Sequence, residues 1–386
     1  MGETISKIDH GMTQETRDSI TAETKTQCET ILEKHPENRC CKYLVEYIDT
    51  KEFKDLSNED FATLAKCVRT GIDNPDSGLG CYAMTPSDYT TFGFFFDKVI
   101  RDYHGDASGE KKHITDWDTG DVDYDVTKLG QDELSMRVRV GRNLVGFNLP
   151  GAMEKDERIT FERKMLPSFD LLKEKYGGKV HSLTPDFGEL GANPNLITED
   201  EYQQLVDAHV MFKDMAADPY LNSAGISNDW PYGRGCWQSD DKMLIIWFGE
   251  EDQLRIMCMK KGSDLLEVFS NLNEMLQTVE GIDGIDFAKD DNYGYVTSCP
   301  SNLGTGMRAS VHIKIPKLTA DGTDTKAKAV CKPLGLSVRG TGGEHTPIGA
   351  DGTVDISPSA RLFIKEKEII EKLFEGIKQL MDIENL

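Results

Sequence analysis

The residues in this chain best suited to chemistry are arginines placed at intervals of two. Arg137 and Arg139 flank Val138 in Met136-Arg137-Val138-Arg139-Val140, and a period of two puts both guanidinium groups on one face of a strand. Arg308, Ser310, His312 and Lys314 alternate in the same way with Ala309, Val311, Ile313 and Ile315, while Arg255 sits in a third strand-like run. Several strands therefore offer cations to one side of a sheet. One such strand reads as a solvated face. Several, carrying arginine and not lysine, point to a polyanion pocket, because the planar fork binds phosphate oxygens bidentately.

The common phosphate-binding motifs do not account for this pattern. No G-x-x-x-x-G-K-[ST] occurs, which speaks against a P-loop. Gly78 to Ala83 and Gly304 to Ala309 both fit G-x-G-x-x-A. A dinucleotide fold, however, needs a strand before those glycines and a helix after them. The first match lies in a loop between helical segments, and the second runs straight into an alternating strand. The glycine-rich loop, H-R-D and D-F-G of protein kinases are missing as well.

The elements that must carry these residues change type along the chain. The pattern predicts helices over Glu15 to His35, over Glu59 to Arg69 with Asn58 as its cap, and over Asp88 to Tyr103 with Ser87 as its cap. Phe92, Phe95, Phe96 and Val99 form one stripe of the last helix and read as core. The polar, Asp- and Gly-rich stretch from Gly105 to Asp125 predicts an interdomain linker. Beyond it strands are expected at Met136 to Val140, Leu244 to Phe248, Leu254 to Met257, Tyr293 to Ser298 and Arg308 to Ile315, before an amphipathic helix over Glu366 to Met381. This order predicts an α+β chain: a small all-helical N-terminal domain over 1–120, then a larger C-terminal domain over 121–386 with an antiparallel β-sheet flanked by helices.

Composition sets outer bounds. The 386 residues are 38% hydrophobic and 29% charged, an ordinary globular balance. A formal charge of −23 repels phosphate backbones and argues against a nucleic-acid partner. The nine cysteines show neither CxxC pairs nor Cys/His clusters, so free thiols in a reducing compartment are expected, without a metal site. No apolar run approaches the roughly 18 to 20 residues of a membrane helix, and no signal peptide opens the chain. A cytoplasmic protein without integral membrane contact is expected. Met1-Gly2-Glu3-Thr4-Ile5-Ser6 fits the loose N-myristoylation pattern, although Glu3 disfavours the modification, and one acyl chain would add only weak membrane association.

Five segments together resemble the phosphagen (ATP:guanidino) kinases. Cys299-Pro300-Ser301-Asn302-Leu303-Gly304-Thr305 is similar to that family's signature heptapeptide. Ser135 to Arg142 resembles its S-x-R-V-R-x-G-R strand, and Trp247 to Arg255 its W-x-N-E-E-D-H-L-R segment. Leu205 to His209 resembles the helix that brings a histidine to the nucleotide, and Arg339 to His345 a mobile loop. The resemblance implies transfer of the γ-phosphoryl of MgATP to a guanidino nitrogen. Arg137, Arg139, Arg255, Arg308 and Arg339 would then clamp the phosphates, His209 and His312 would lie near the adenosine, and Ser135, Ser310, Gly340, Thr341, Gly342 and Gly343 would complete the ATP site. Mg2+ would be held by phosphates and waters and not by a protein ligand cluster. Glu251 and Glu344 would orient the guanidinium and take its proton, with Cys299 beside it as a thiolate whose pKa nearby cations lower.

The acceptor reading rests on Ser77-Gly78-Leu79-Gly80-Cys81-Tyr82, which is similar to the arginine-kinase form S-G-V-G-I-Y. Backbone N–H groups of Gly78, Leu79 and Gly80 would hold an α-carboxylate and Tyr82 the α-amino group, so L-arginine is the expected partner beside ATP/ADP. Glu344 supports that choice, since creatine kinases place a valine there. The chain departs from the family at Gly249, at Gln253, at Gly342 (an arginine in most arginine kinases) and in an added stretch near Pro185 to Pro194. A taurocyamine or creatine kinase, or a nucleotide-binding scaffold without catalysis, are the alternatives. The segment Gly340 to Gly352 is expected to be a lid carrying Glu344. Monomer and dimer are left open.

Overall fold

The computed structural model describes residues 12–131, 134–341 and 348–385. Its first part is helical. Helix α1 spans Gln14–Leu32, α2 Arg39–Ile48, α3 Asn58–Asp73 and α4 Gly93–Tyr103. On α3 the apolar residues Phe61, Leu64 and Val68 turn inward. Its cap is Ser57, whose Oγ accepts the Asp60 N–H at 3.0 Å, and not Asn58, which is the first helical residue and donates instead to the Met12 carbonyl. The helix expected from Asp88 to Tyr103 breaks at Phe92, with Ser87 making no side-chain cap. Asp88 ties that corner down by accepting the N–H groups of Met84 and Thr85. Phe92, Phe95, Phe96 and Val99 are buried, as their stripe predicts. Residues 105–124 then run without regular helix or strand.

The second part is built on one sheet. Its strands are β1 (Leu134–Arg142), β2 (Lys179–Ser182), β3 (Gly235–Gln238), β4 (Leu244–Phe248) and β5 (Leu254–Gly262), joined by β8 (Met307–Lys314), β9 (Leu336–Arg339) and β10 (Thr353–Pro358). Their spatial order is β2-β3-β4-β5-β1-β8-β10-β9, with antiparallel pairing throughout. The strand expected over Tyr293 to Ser298 shrinks to a two-residue ribbon, β6 (Lys289–Asp290) against β7 (Gly294–Tyr295). The bends at Gly294 and Gly304, both at positive φ, leave no room for a longer run.

One face of the sheet is covered by helices α5 (Lys155–Tyr176), α7 (Leu265–Glu280) and α8 (Glu366–Glu384), with Met136, Val138 and Val140 of β1 pointing into that core. Helix α5 carries charge along most of its length and Pro167 inside it, which hides it from a pattern search. Between α5 and α7 the shorter α6 (Glu199–Asp207) opens with a full capping box at Thr198 and Glu201. The opposite face carries the arginines. A second apolar cluster links the helical part to this face through Trp247, Ile245 and Met257. Among the described residues no helix is long and apolar enough to cross a membrane.

Candidate active site

Strand register gathers the cations. Across β1 and β8, Arg139 faces Arg308, Arg137 faces Ser310 and Ser135 faces His312. Across β1 and β5, Gly141 faces Arg255. On the far side Asp355 of β10 faces both His312 and Arg339. Directly opposed residues share a face, so Arg137, Arg139, Arg255, Arg308 and Arg339, with Ser135, Ser310 and His312, form one surface. Arg139, Arg255 and Arg308 line a single cleft with Asp252 and Arg361.

The cradle is only partly neutralised from within. Arg255 pairs with Glu250 at 2.7 Å and lies 3.5 Å from Glu251. Arg308 binds Asp355 and donates through Nε to Ser357 at 3.1 Å. Burial pushes Asp355 upward, but His312 and Arg308 together hold it below the ordinary carboxylate range. Arg137 reaches Met257 Sδ at 2.9 Å, a weak acceptor. Burial and its arginine neighbours lower its pKa to about 10. Arg139 forms no ion pair among the described residues, and burial plus four neighbouring guanidiniums push it well down. The cationic form is thus strained by its surroundings, which is the condition an incoming polyanion relieves.

The acids come from the turn between β4 and β5. Gly249 holds φ 76°, and a Cβ there would sit 2.1 Å from the Gly233 carbonyl, so glycine at this departure from the family pattern is sterically required. Gln253, the neighbouring departure, is buried. It accepts the Leu144 N–H at 2.7 Å and donates to the Asn148 carbonyl at 2.8 Å, fastening the chain after β1 to the turn. Between them Glu251 is raised to about 7, first by burial, then by Asp252 and Glu250, against the pull of Arg255 and Arg361. Asp252 accepts from Asn143 Nδ2 at 2.8 Å and from the Ser298 N–H at 2.7 Å, which pins the loop bearing Cys299 to the same turn.

Cys299 is buried, with Sγ 3.0 Å from Ser301 Oγ. The expected lowering of its pKa by cations is overturned. Burial first and Glu251 second push the thiol up to about 12. After burial, the Glu251 carboxylate is the strongest electrostatic neighbour of the thiol.

The loop Ser77 to Tyr82 meets this centre from the helical part. The Ala83 N–H donates to the Ser298 carbonyl at 2.9 Å, and buried Tyr82 lies in the field of Cys299 and Glu251. Its carbonyls are turned inward: Gly78 O accepts from Arg39, Leu79 O from the Cys40 N–H at 3.0 Å, and Gly80 O from the Gly71 N–H at 2.7 Å. A trans peptide sets each N–H opposite the preceding carbonyl. The N–H groups of Leu79, Gly80 and Cys81 therefore point the other way, and among the described residues they meet no acceptor. Such a run of outward N–H groups suits an anion.

The remaining expected residues divide. His209 stands at φ 57° beyond the end of α6, exposed, and its imidazole forms no hydrogen bond or ion pair with the cradle among the described residues. The next residue, Val210, accepts the Trp247 indole N–H at 2.6 Å and so ties that segment to β4. Gly340 is buried at the end of β9 and Thr341 is exposed. Gly342, Gly343 and Glu344, with most of the expected lid, and Gly2 at the other end, lie outside the described residues.

Four further residues belong to the site. Arg361 donates to Asn302 Oδ1 at 2.7 Å and lies in the field of Glu251. A lone arginine between strand and helix carries no periodic signal, so sequence reasoning passes over it. Asp355 was legible, since Thr353-Val354-Asp355-Ile356 alternates with period two. Glu250 and Asp252 lie inside the Trp247 to Arg255 segment, and only their contacts single them out.

Comparison with known proteins agrees with this geometry. The family described as "ATP:guanido phosphotransferase, C-terminal catalytic domain" matches residues 161–386, and its "N-terminal domain" counterpart matches residues 36–101. The chain is 37% identical to arginine kinase Oct f 2 of Amphioctopus fangsiao over 94% of this chain and 96% of the relative. It is 36% identical to the testis creatine kinase of Oncorhynchus mykiss, covering 90% of this chain and 88% of that one. Among solved structures, the substrate-free duplicated taurocyamine kinase of Schistosoma mansoni superposes with a TM-score of 0.75 at 31% identity. That match covers 94% of this chain but 49% of the duplicated protein, so this chain spans about half its length.

Proposed function

The chain belongs to the ATP:guanido phosphotransferase family and is an enzyme that transfers phosphate to a guanidino group; on that premise we propose that its acceptor is L-arginine. A guanidino nitrogen attacks the γ-phosphorus, the N–P bond forms as the bond to the bridging oxygen breaks, and ADP leaves. The acceptor proton passes to a carboxylate. In this reading Arg137, Arg139, Arg255, Arg308 and Arg339 hold the phosphates, with Ser135, Ser310, Gly340, Thr341, Gly342 and Gly343 beside them and His209 and His312 towards the adenosine. Glu251 takes the proton, and Glu344 and Cys299 face the guanidinium. The observation that carries the arginine reading is the loop at 77–82. Its inward carbonyls free a row of N–H groups for a carboxylate, beside Cys299 and Glu251. Creatine and taurocyamine kinases among the relatives support a second reading, in which the same loop takes a different acid.

A panel of guanidino acceptors under identical conditions decides between them. Turnover with L-arginine, well above that with creatine or taurocyamine, is expected. No turnover with L-arginine would remove the proposal.

In the same reading magnesium arrives with the nucleotide, held by phosphates and waters. Among the described residues no group of three or more His, Cys, Asp or Glu is arranged to hold a metal, and arginines cannot ligate one. Magnesium supplies charge neutralisation on the phosphates. Chelation with EDTA should stop turnover completely and leave the melting temperature of the nucleotide-free protein within about a degree, since without a protein cage there is no metal-linked folding energy to lose. A drop of several degrees would require a resident metal.

A further inference from the structure

We infer that Arg39 is a positioning residue for the acceptor loop and sets the preference for acceptors that carry a carboxylate. The inference rests on the proposed arginine reading. Arg39 opens α2, and its backbone N–H and its Nη1 both reach the Gly78 carbonyl, at 3.4 and 3.0 Å. Its Nε lies 3.4 Å from Asp102 Oδ1, and its guanidinium stands 5.5 Å from the Tyr103 ring centre. Asp102 lies in α4, where it also accepts Tyr43 Oη at 2.7 Å and Lys42 Nζ at 3.1 Å. Against the opposing effect of burial, those two donors and Arg39 hold it below the ordinary carboxylate range. One planar cation thus ties the loop to a different helix.

Two consequences follow for the acceptor. The peptide between Gly78 and Leu79 is polarised at its carbonyl by a full positive charge, which makes the opposite Leu79 N–H a better donor. The same charge lies behind the row of outward N–H groups and favours an anion in front of them. A lysine would keep the charge but could not serve the carbonyl, the carboxylate and the ring together.

The test compares L-arginine with agmatine, which has the same guanidino group and no carboxylate, in wild type, Arg39→Gln and Arg39→Lys. Agmatine is assayed as acceptor or, where turnover is too slow, as a competitive inhibitor. Arg39→Gln should raise KM for L-arginine about tenfold, the scale of one lost hydrogen bond to a charged group. KM for MgATP and the agmatine constant should stay within about twofold, and Arg39→Lys should fall between. Equal losses with both ligands, or an unchanged arginine-to-agmatine ratio, would overturn the role of Arg39 while L-arginine turnover by wild type stands. Absence of that turnover in wild type would instead overturn the acceptor reading beneath it.

Discussion

Replacing Glu251 by glutamine should lower kcat by on the order of 10² to 10⁴ while leaving MgADP affinity within a few-fold, because a positioned base contributes on that scale. The amide keeps the shape of the side chain but loses the negative charge and, with it, the capacity to take a proton. Its cation partner, Arg255, keeps the closer ion pair to Glu250 at 2.7 Å. The same residue predicts a pH dependence. Burial, Asp252 and Glu250 raise Glu251 from 4.5 to about 7. A base acts only when ionised, so kcat/KM in the direction of acceptor phosphorylation should be low below pH 6, rise through about 7 and level off above it. Glu251→Gln should flatten that limb. Near-normal turnover by the variant, or an unchanged rise with pH, would remove Glu251 from its role.

Replacing Arg139 by glutamine should cost on the order of 10³ in kcat/KM, the range seen when a guanidinium is withdrawn from a transferring phosphoryl group. Unlike most losses of a buried side chain, it should not destabilise the protein alone. Arg139 has no ion-pair partner among the described residues and stands among Arg137, Arg255, Arg308 and Arg361. Removing one of several like charges relieves repulsion. Melting of the nucleotide-free variant should match or exceed wild type, and the stabilisation by saturating MgADP should shrink, since that stabilisation measures differential binding to the folded state. A variant that melts several degrees lower yet gains as much from MgADP as wild type would show Arg139 to be a structural residue.

The two departures from the family pattern at the acidic turn have separate physical reasons. At Gly249 the backbone leaves no space for a Cβ. At Gln253 the amide bridges two backbone groups at 2.7 and 2.8 Å, using one donor and one acceptor where they are needed. With both residues in place, Asp252 lines the cleft and Glu251 lies beside Arg255. Glu251 remains 3.5 Å from Arg255 and Asp252 remains bound to the Ser298 N–H.

Legibility in the sequence followed the reach of local physics. A period of two needs only the pleat of a strand, so the shared face of Arg137 with Arg139, and of Arg308 with Ser310 and His312, could be read directly. Helix α5 could not be read so easily, because its charged surface and Pro167 mask an apolar stripe that only a facing sheet reveals. The cap of α3 moved by one residue, since Ser57 and Asn58 are both capable and the choice is made by what each can reach. For Cys299 the cations were visible in the sequence, whereas the burial and the nearness of Glu251 that push the thiol upward were not.

The sequence by itself determined which residue types alternate and that cations and acids are both at hand in an acidic chain. Only the tertiary structure decided that Arg139 opposes Arg308, that Gly141 opposes Arg255, and that a loop from the helical part lies against Ser298. Side-chain alternation is a property of one strand, but register and docking are settled by the burial of apolar surface that many distant segments share.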